Sequence, residues 1–222
     1  MPLTKEFRET IECMNDADGW RWYRVAGNNY ASVTGVMAWF VHPKFKAWMI
    51  NNSPKKIENV SATTAAMGSE IHDKAHAGTE DRLTKLLQDN KMEILEQEFP
   101  VYSKHGWAGR CDLKIKYNDK IYLVDIKSGR FGHVGMQLGG YTLAENEHGA
   151  NVEGIGVISL PRDLERPAAF FDYSAHFDNC LYAWCTCFDT WKFGMFADKA
   201  LRVKIENEPW AQTKTVLQYD WR

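Results

Sequence analysis

The sequence predicts an α/β protein, a central mixed sheet flanked by helices. Three observations carry this reading. After Asn90, residues 91–102, 107–117 and 120–127 alternate with the two-residue rhythm of strands. Residues 133–148 then read as a helix, with apolar or small residues at 134, 138, 141 and 144. The buried strand VEGIGVISL follows, and a helix rich in Trp, Phe and Tyr over 174–200 closes the pattern. Strands interleaved with helices imply one sheet covered on both faces.

Taken in order, WRWYRVA at 20–26 reads as a short strand, and Thr34 as the N-cap of a helix over 35–41. Pro43 restarts a short helix carrying Phe45 and Trp48. NNSPKKIEN at 51–59 is a polar loop, and a long helical stretch over 61–89 is divided by Gly78. Asn118–Asp119 is turn chemistry between the second and third strands of an antiparallel meander. AAFFDYS is a shorter strand before the last helix. The expected organisation is one domain over 1–222: a helical N-terminal elaboration at 1–60, a core at 61–200 and a tail at 201–222.

Composition narrows the function classes. Hydrophobic residues make up 45% of 222 residues, enough for a substantial core. No apolar run reaches the roughly 18 residues of a membrane span. The polar N-terminus lacks the apolar stretch of a secretory signal, so a cytoplasmic protein is expected, in the host cytoplasm if viral. Five cysteines, an odd number, fit reduced thiols. A net charge of −2 gives no global attraction to nucleic acid, though basic residues clustered at one site are compatible with it. Nine Trp and nine Tyr read mainly as packing, with base stacking on single strands as the alternative use.

The chemistry is sought in GRCDLKIKYNDKIYLVDIKSG. Folding at Asn118–Asp119 sets Asp112 and Asp125 nearly opposite each other on consecutive strands. Alternation puts Asp125 and Lys127 on one face and Ile126 on the other. A carboxylate pair with a lysine two residues on is what metal-assisted phosphodiester hydrolysis requires: hard oxygen ligands for Mg²⁺ or Mn²⁺ and a cation beside the attacked phosphate. Surface charges on an exposed hairpin are the competing reading. The apolar neighbours Leu123, Val124 and Ile126 oppose it, because a charge inside an apolar strand is costly unless paired or metal-bound.

At this point the chain resembles RecB-type exonucleases of the PD-(D/E)XK superfamily, a group that includes mitochondrial genome maintenance and phage exonucleases. Gly68-Ser69-Glu70-Ile71-His72 resembles the family's G-x-x-x-H helix, and Glu98 its first-strand glutamate. Gly109-Arg110-Cys111-Asp112 resembles G-x-x-D, Asp125-Ile126-Lys127-Ser128-Gly129 resembles D-x-K-[ST]-G, and Gln137 to Tyr141 resembles Q-x-x-x-Y. Tyr30 to Thr34 and then Trp48 resemble the segment preceding them. The motifs occur in the family's order across roughly residues 20–200.

The resemblance implies a restriction-endonuclease-like core with a central mixed β-sheet, and DNA as the substrate. It implies metal binding by His72, Asp112, Asp125 and the carbonyl of Ile126, with Lys127 holding the attacking water. Glu98 supports a second metal, Glu96 being the competing choice on the same strand. The Gln137–Tyr141 pair braces Lys127 or contacts phosphate; Ser128, Arg130 and His133 flank the start of that helix as candidate contacts to the DNA backbone, a solvated loop being the competing reading. Cys180, Cys185 and Cys187, with Cys13 upstream, depart from the spacing of relatives that carry an iron–sulfur cluster, so no cluster is expected and the thiols read as core. The expected activity is an exonuclease on DNA ends, single strands preferred, in phage-type recombination or genome processing. A recombinase or a single-strand-binding protein is a conceivable partner, and a membrane is not. An endonuclease of the same fold and a catalytically silent DNA-binding module are the alternatives.

Overall fold

The structure is a computed structural model. It describes residues 2–16, 19–40, 69–71, 73–75, 77–129 and 132–197, with scattered positions between 51 and 66. The chain begins with α1 (Lys5–Arg8), β1 (Glu12–Asn15), β2 (Arg21–Val25), β3 (Asn28–Ser32) and α2 (Val33–Ala38). It continues with α3 (Asp81–Asp89), β4 (Glu93–Tyr102), β5 (Trp107–Tyr117) and β6 (Lys120–Lys127). It ends with α4 (Val134–Glu147), β7 (Val152–Ser159), β8 (Ala169–Asp172), a 3₁₀ turn at Ser174–His176 and α5 (Phe177–Ala197).

Eight strands form one mixed sheet in the order β1-β2-β3-β5-β6-β7-β8, with β4 also on β5. The β5–β6 hairpin turns at Asn118 and Asp119, both left-handed at φ 49° and 59°, which is the two-residue turn that Asn and Asp tolerate. β6 and β7 are parallel, so the chain needs a crossover between them, and α4 supplies it.

Strand β5 carries three partners on two edges. β4 runs along one edge from Ala108 to Lys116. The other edge is shared: β3 pairs at Trp107 and Ala108, and β6 at Leu113 to Tyr117. Between these contacts β3 and β6 part, leaving a fork along residues 109–112. Asp112 sits at its vertex.

Two apolar layers fix the sheet. On one face α2, α4 and α5 bury Trp107, Leu123, Leu138, Ile155, Trp184, Phe188 and Trp191. On the other, α3 and the turn of helix at Ile71 and Ala75 bury Leu113, Val124, Ile126 and Ile158. Gly78 breaks that helical stretch at φ 67°, as its position in the sequence predicts.

The N-terminal region differs from expectation in two ways. It contributes three strands to the sheet, of which β2 matches the strand expected at 20–26 while β1 and β3 replace part of the expected helical elaboration. The N-cap of α2 is Ser32 rather than Thr34, and the helix is Val33–Ala38. The two hydroxyls lie 3.0 Å apart and either suits a cap. Pairing of β3 with β5 ends at Ser32, so the helix starts there. Residues 41–50, with Pro43, Phe45 and Trp48, lie outside the described residues, as does the tail.

Candidate active site

The register of the hairpin, Leu113 opposite Val124, brings Asp112 and Asp125 abreast. The link between them is specific. The amide of Ile126 donates to Asp112 Oδ2 at 2.7 Å, so the carboxylate continues the β5–β6 ladder where its backbone bonds stop. A change of face explains why Asp112 can do this. Phe99 and Cys111 belong to the layer under α4, while their neighbours along the ladder, Leu113 and Ile115, belong to the opposite layer. The strands therefore cross from one face to the other at residues 98 and 112. Asp112, at the crossing, is directed along the sheet towards β6.

Glu98 stands opposite Asp112, between the pairs Gln97–Leu113 and Phe99–Cys111. Its φ is +44°, a left-handed conformation inside a strand that costs a non-glycine residue on the order of 1 kcal/mol. The Glu98 carboxylate lies 3.8 Å from Arg110, and its charge reaches Asp112. Glu96, the competing choice, is engaged elsewhere: Arg8 and Lys114 both pair with it.

Asp125 is buried, and its two oxygens are divided between partners. Lys127 Nζ lies 2.6 Å from Oδ2, and Gln137 Nε2 donates to Oδ1 at 2.8 Å. Gln137 also donates to the Tyr141 hydroxyl at 3.2 Å. The Gln–Tyr pair on α4 thus braces Asp125, which in turn holds Lys127. Tyr141 is held against Gly109 of β5, where any side chain would collide with its ring. Lys127, half-buried, is the more accessible member of the pair.

Burial pushes the Asp112 carboxyl up to about 6, partly offset by the Ile126 amide and by Lys127, while Glu98 adds to the rise. A carboxylate whose charge is penalised in this way is stabilised by a cation, and oxygen donors suit a hard divalent ion. The residues present therefore fit Mg²⁺ or Mn²⁺. Among the described residues no group of three His, Cys, Asp or Glu side chains forms a ready-made cage. His72, with Gly68 and His76, lies outside the described residues, as does Arg130. Ser128 is half-buried directly after β6.

Cys180, Cys185 and Cys187 lie buried on α5 as free thiols, and Cys13 is exposed on β1. A polar cluster that the sequence reading did not single out lies beyond Tyr141. Glu145 is buried and pairs with Arg8 at 2.8 Å and Lys114 at 2.6 Å. Gln137, Tyr141 and Glu145 recur every four residues, one stripe of α4, so that signal was available. Arg8 had none, since its partners lie far along the chain. No family model and no curated protein matches this sequence.

Proposed function

We propose that this chain is a metal-dependent DNA nuclease of the PD-(D/E)XK class, acting as an exonuclease on DNA ends with single strands preferred. The observation that carries the reading is the fork vertex. One hydrogen bond from the Ile126 amide ties buried Asp112 to the strand that carries buried Asp125, and Asp125 holds a lysine at 2.6 Å.

Asp112, Asp125, the Ile126 carbonyl and His72 would hold Mg²⁺ or Mn²⁺, and Glu98 would support a second ion. When bound, the ion acidifies a water and draws charge from the scissile phosphate. Lys127 orients the water and stabilises negative charge on the phosphate as it grows. Gln137 keeps Asp125 from turning away as Lys127 shifts towards the substrate. The water oxygen bonds to phosphorus, the phosphorus–oxygen bond to the departing nucleotide breaks, and the water's proton ends on the leaving oxygen.

The test is cleavage of labelled single-stranded DNA with Mn²⁺, with EDTA as control, by the wild-type chain and by Asp125→Ala. Metal-dependent cleavage lost in the variant supports the reading. DNA binding without cleavage in the wild type favours the silent module instead.

A further inference from the structure

Glu98 presents an unexplained cost: a left-handed glutamate in the middle of a strand, at the position facing Asp112. Strain of this kind persists where surrounding groups over-determine it. The groups that do so here converge on Arg8. Its Nε lies 3.1 Å from the Glu96 carboxylate, and its Nη1 donates to the Pro100 carbonyl at 2.6 Å. One guanidinium thus grips β4 two residues before Glu98 and two residues after it. The plane is supported from beneath by the Phe99 ring, 4.9 Å away.

The same guanidinium is itself held. Arg8 Nη2 donates to Glu145 at 2.9 Å, and Lys114 joins Glu145 to Glu96. Two cations and two carboxylates balance, which makes their burial tolerable. Glu145 lies on the helix that braces Asp125, and Lys114 lies two residues from Asp112. Arg8 and Glu98 also line one cavity of about 580 Å³ between α1 and β4.

We infer that Arg8 is a positioning residue: it clamps β4 across Glu98, enforces the left-handed crossing, and so aims the Glu98 carboxylate at the Asp112 vertex. Arg8 touches no reacting atom. A planar fork spans a carboxylate and a carbonyl at once, and a lysine ammonium on a flexible stem does not hold that geometry. The aiming role rests on the metal-dependent reading above; the clamp itself does not.

Two measurements on the full chain test it. The first is hydrogen–deuterium exchange in EDTA, with Arg8→Gln against wild type. Amides of residues 95–99 and 101 are expected to exchange at least ten-fold faster, with β6 and β7 unchanged. Protection equal to wild type, or acceleration spread evenly over the sheet, overturns the clamp. The second is calorimetric titration with Mn²⁺. Arg8→Gln is expected to weaken binding about ten-fold, and Arg8→Lys not to restore it. Unchanged affinity, or full rescue by lysine, overturns the aiming role. If Arg8→Gln fails to fold, Arg8→Gln/Glu145→Gln keeps the cluster's charge balanced and takes its place in both measurements. A wild-type chain that binds no Mn²⁺ overturns the metal reading and the aiming role together. The exchange data, collected without metal, tell that failure apart from failure of the clamp.

Discussion

Asp125 and Lys127 are each other's support: the lysine neutralises a buried carboxylate, and the carboxylate fixes the ammonium at the end of β6. Lys127→Ala is therefore expected to lower cleavage by roughly 10²–10³-fold, the range for losing one preorganised transition-state donor. Removing the ammonium leaves the buried Asp125 carboxylate with Gln137 as its side-chain donor, so circular dichroism must first show that the variant is folded. Single-turnover kinetics with excess Mn²⁺ then measure the loss, and near-normal rates in a folded variant would exclude Lys127 from the chemistry. Asp112 gives a second prediction. Its carboxyl lies at about 6 in place of 3.8, so the folded protein binds that proton more tightly than the unfolded chain does. Its contribution to the metal-free protein is thus fully present below about pH 4 and is lost as pH rises through about 6. A divalent ion competes with the proton. The Tm gain from a fixed Mn²⁺ concentration should grow between pH 5 and 7.5, and the growth should shrink in Asp112→Asn. A pH-independent gain would remove Asp112 from the donor set.

Helix α4 is the element through which packing reaches the site. Its stripe of Gln137, Tyr141 and Glu145 faces the sheet, while Gly135, Gly139 and Gly140 let α5 approach its other side. A methyl group at Gly139 would collide with the backbone carbonyl of Cys180, which cannot move aside as a side chain can. Gly139→Ala should cost about 1–3 kcal/mol in urea unfolding, the usual penalty for overpacking. Gly132→Ala, with open space around it, serves as the control and should leave the midpoint unchanged. Equal midpoints in all three proteins would mean that α4 and α5 separate freely. Legibility in the sequence follows the same division between local and distant causes. The β4–β6 meander, its turn and the abreast aspartates depend on neighbours within about fifteen positions, and the alternating pattern shows them. Strands β1, at the edge of the sheet, and β3, between β2 and β5, are short and largely polar, and only pairing with their neighbours makes them strands. Arg8 meets Pro100 and Glu145 across 92 and 137 positions, a separation at which no periodicity operates.

At the scale of the whole molecule, a net charge of −2 provides no long-range pull on a polyanion. Among the described residues no helix is long and apolar enough to cross a membrane. A DNA substrate of the kind proposed would be captured by local contacts and by shape. The segment 34–60 is expected to roof the site, with Trp39, Phe40, Phe45 and Trp48 and Lys44, Lys46, Lys55 and Lys56. Two of its aromatics pack in part: Trp39 lies against Gly194 of α5 yet stays 41% exposed, and Phe40 is half-buried against the main core. Lys55 and Lys56 are exposed; Lys44, Lys46, Phe45 and Trp48 lie outside the described residues. Such a roof over the fork would turn an open cleft into a channel, and a channel would be entered by threading an end. A flexible single strand threads more readily than a duplex, whose two backbones must pass together. Cleavage is accordingly expected on linear single-stranded DNA and not on the same molecule closed into a circle, with Mn²⁺ present. Gel analysis of the two forms at equal concentration decides it. Equal degradation replaces the exonuclease with an endonuclease acting from an open cleft, and the Asp112–Asp125–Lys127 assignment survives either way. Degradation confined to the linear form supports threading, and labelling each end in turn then gives the direction of travel.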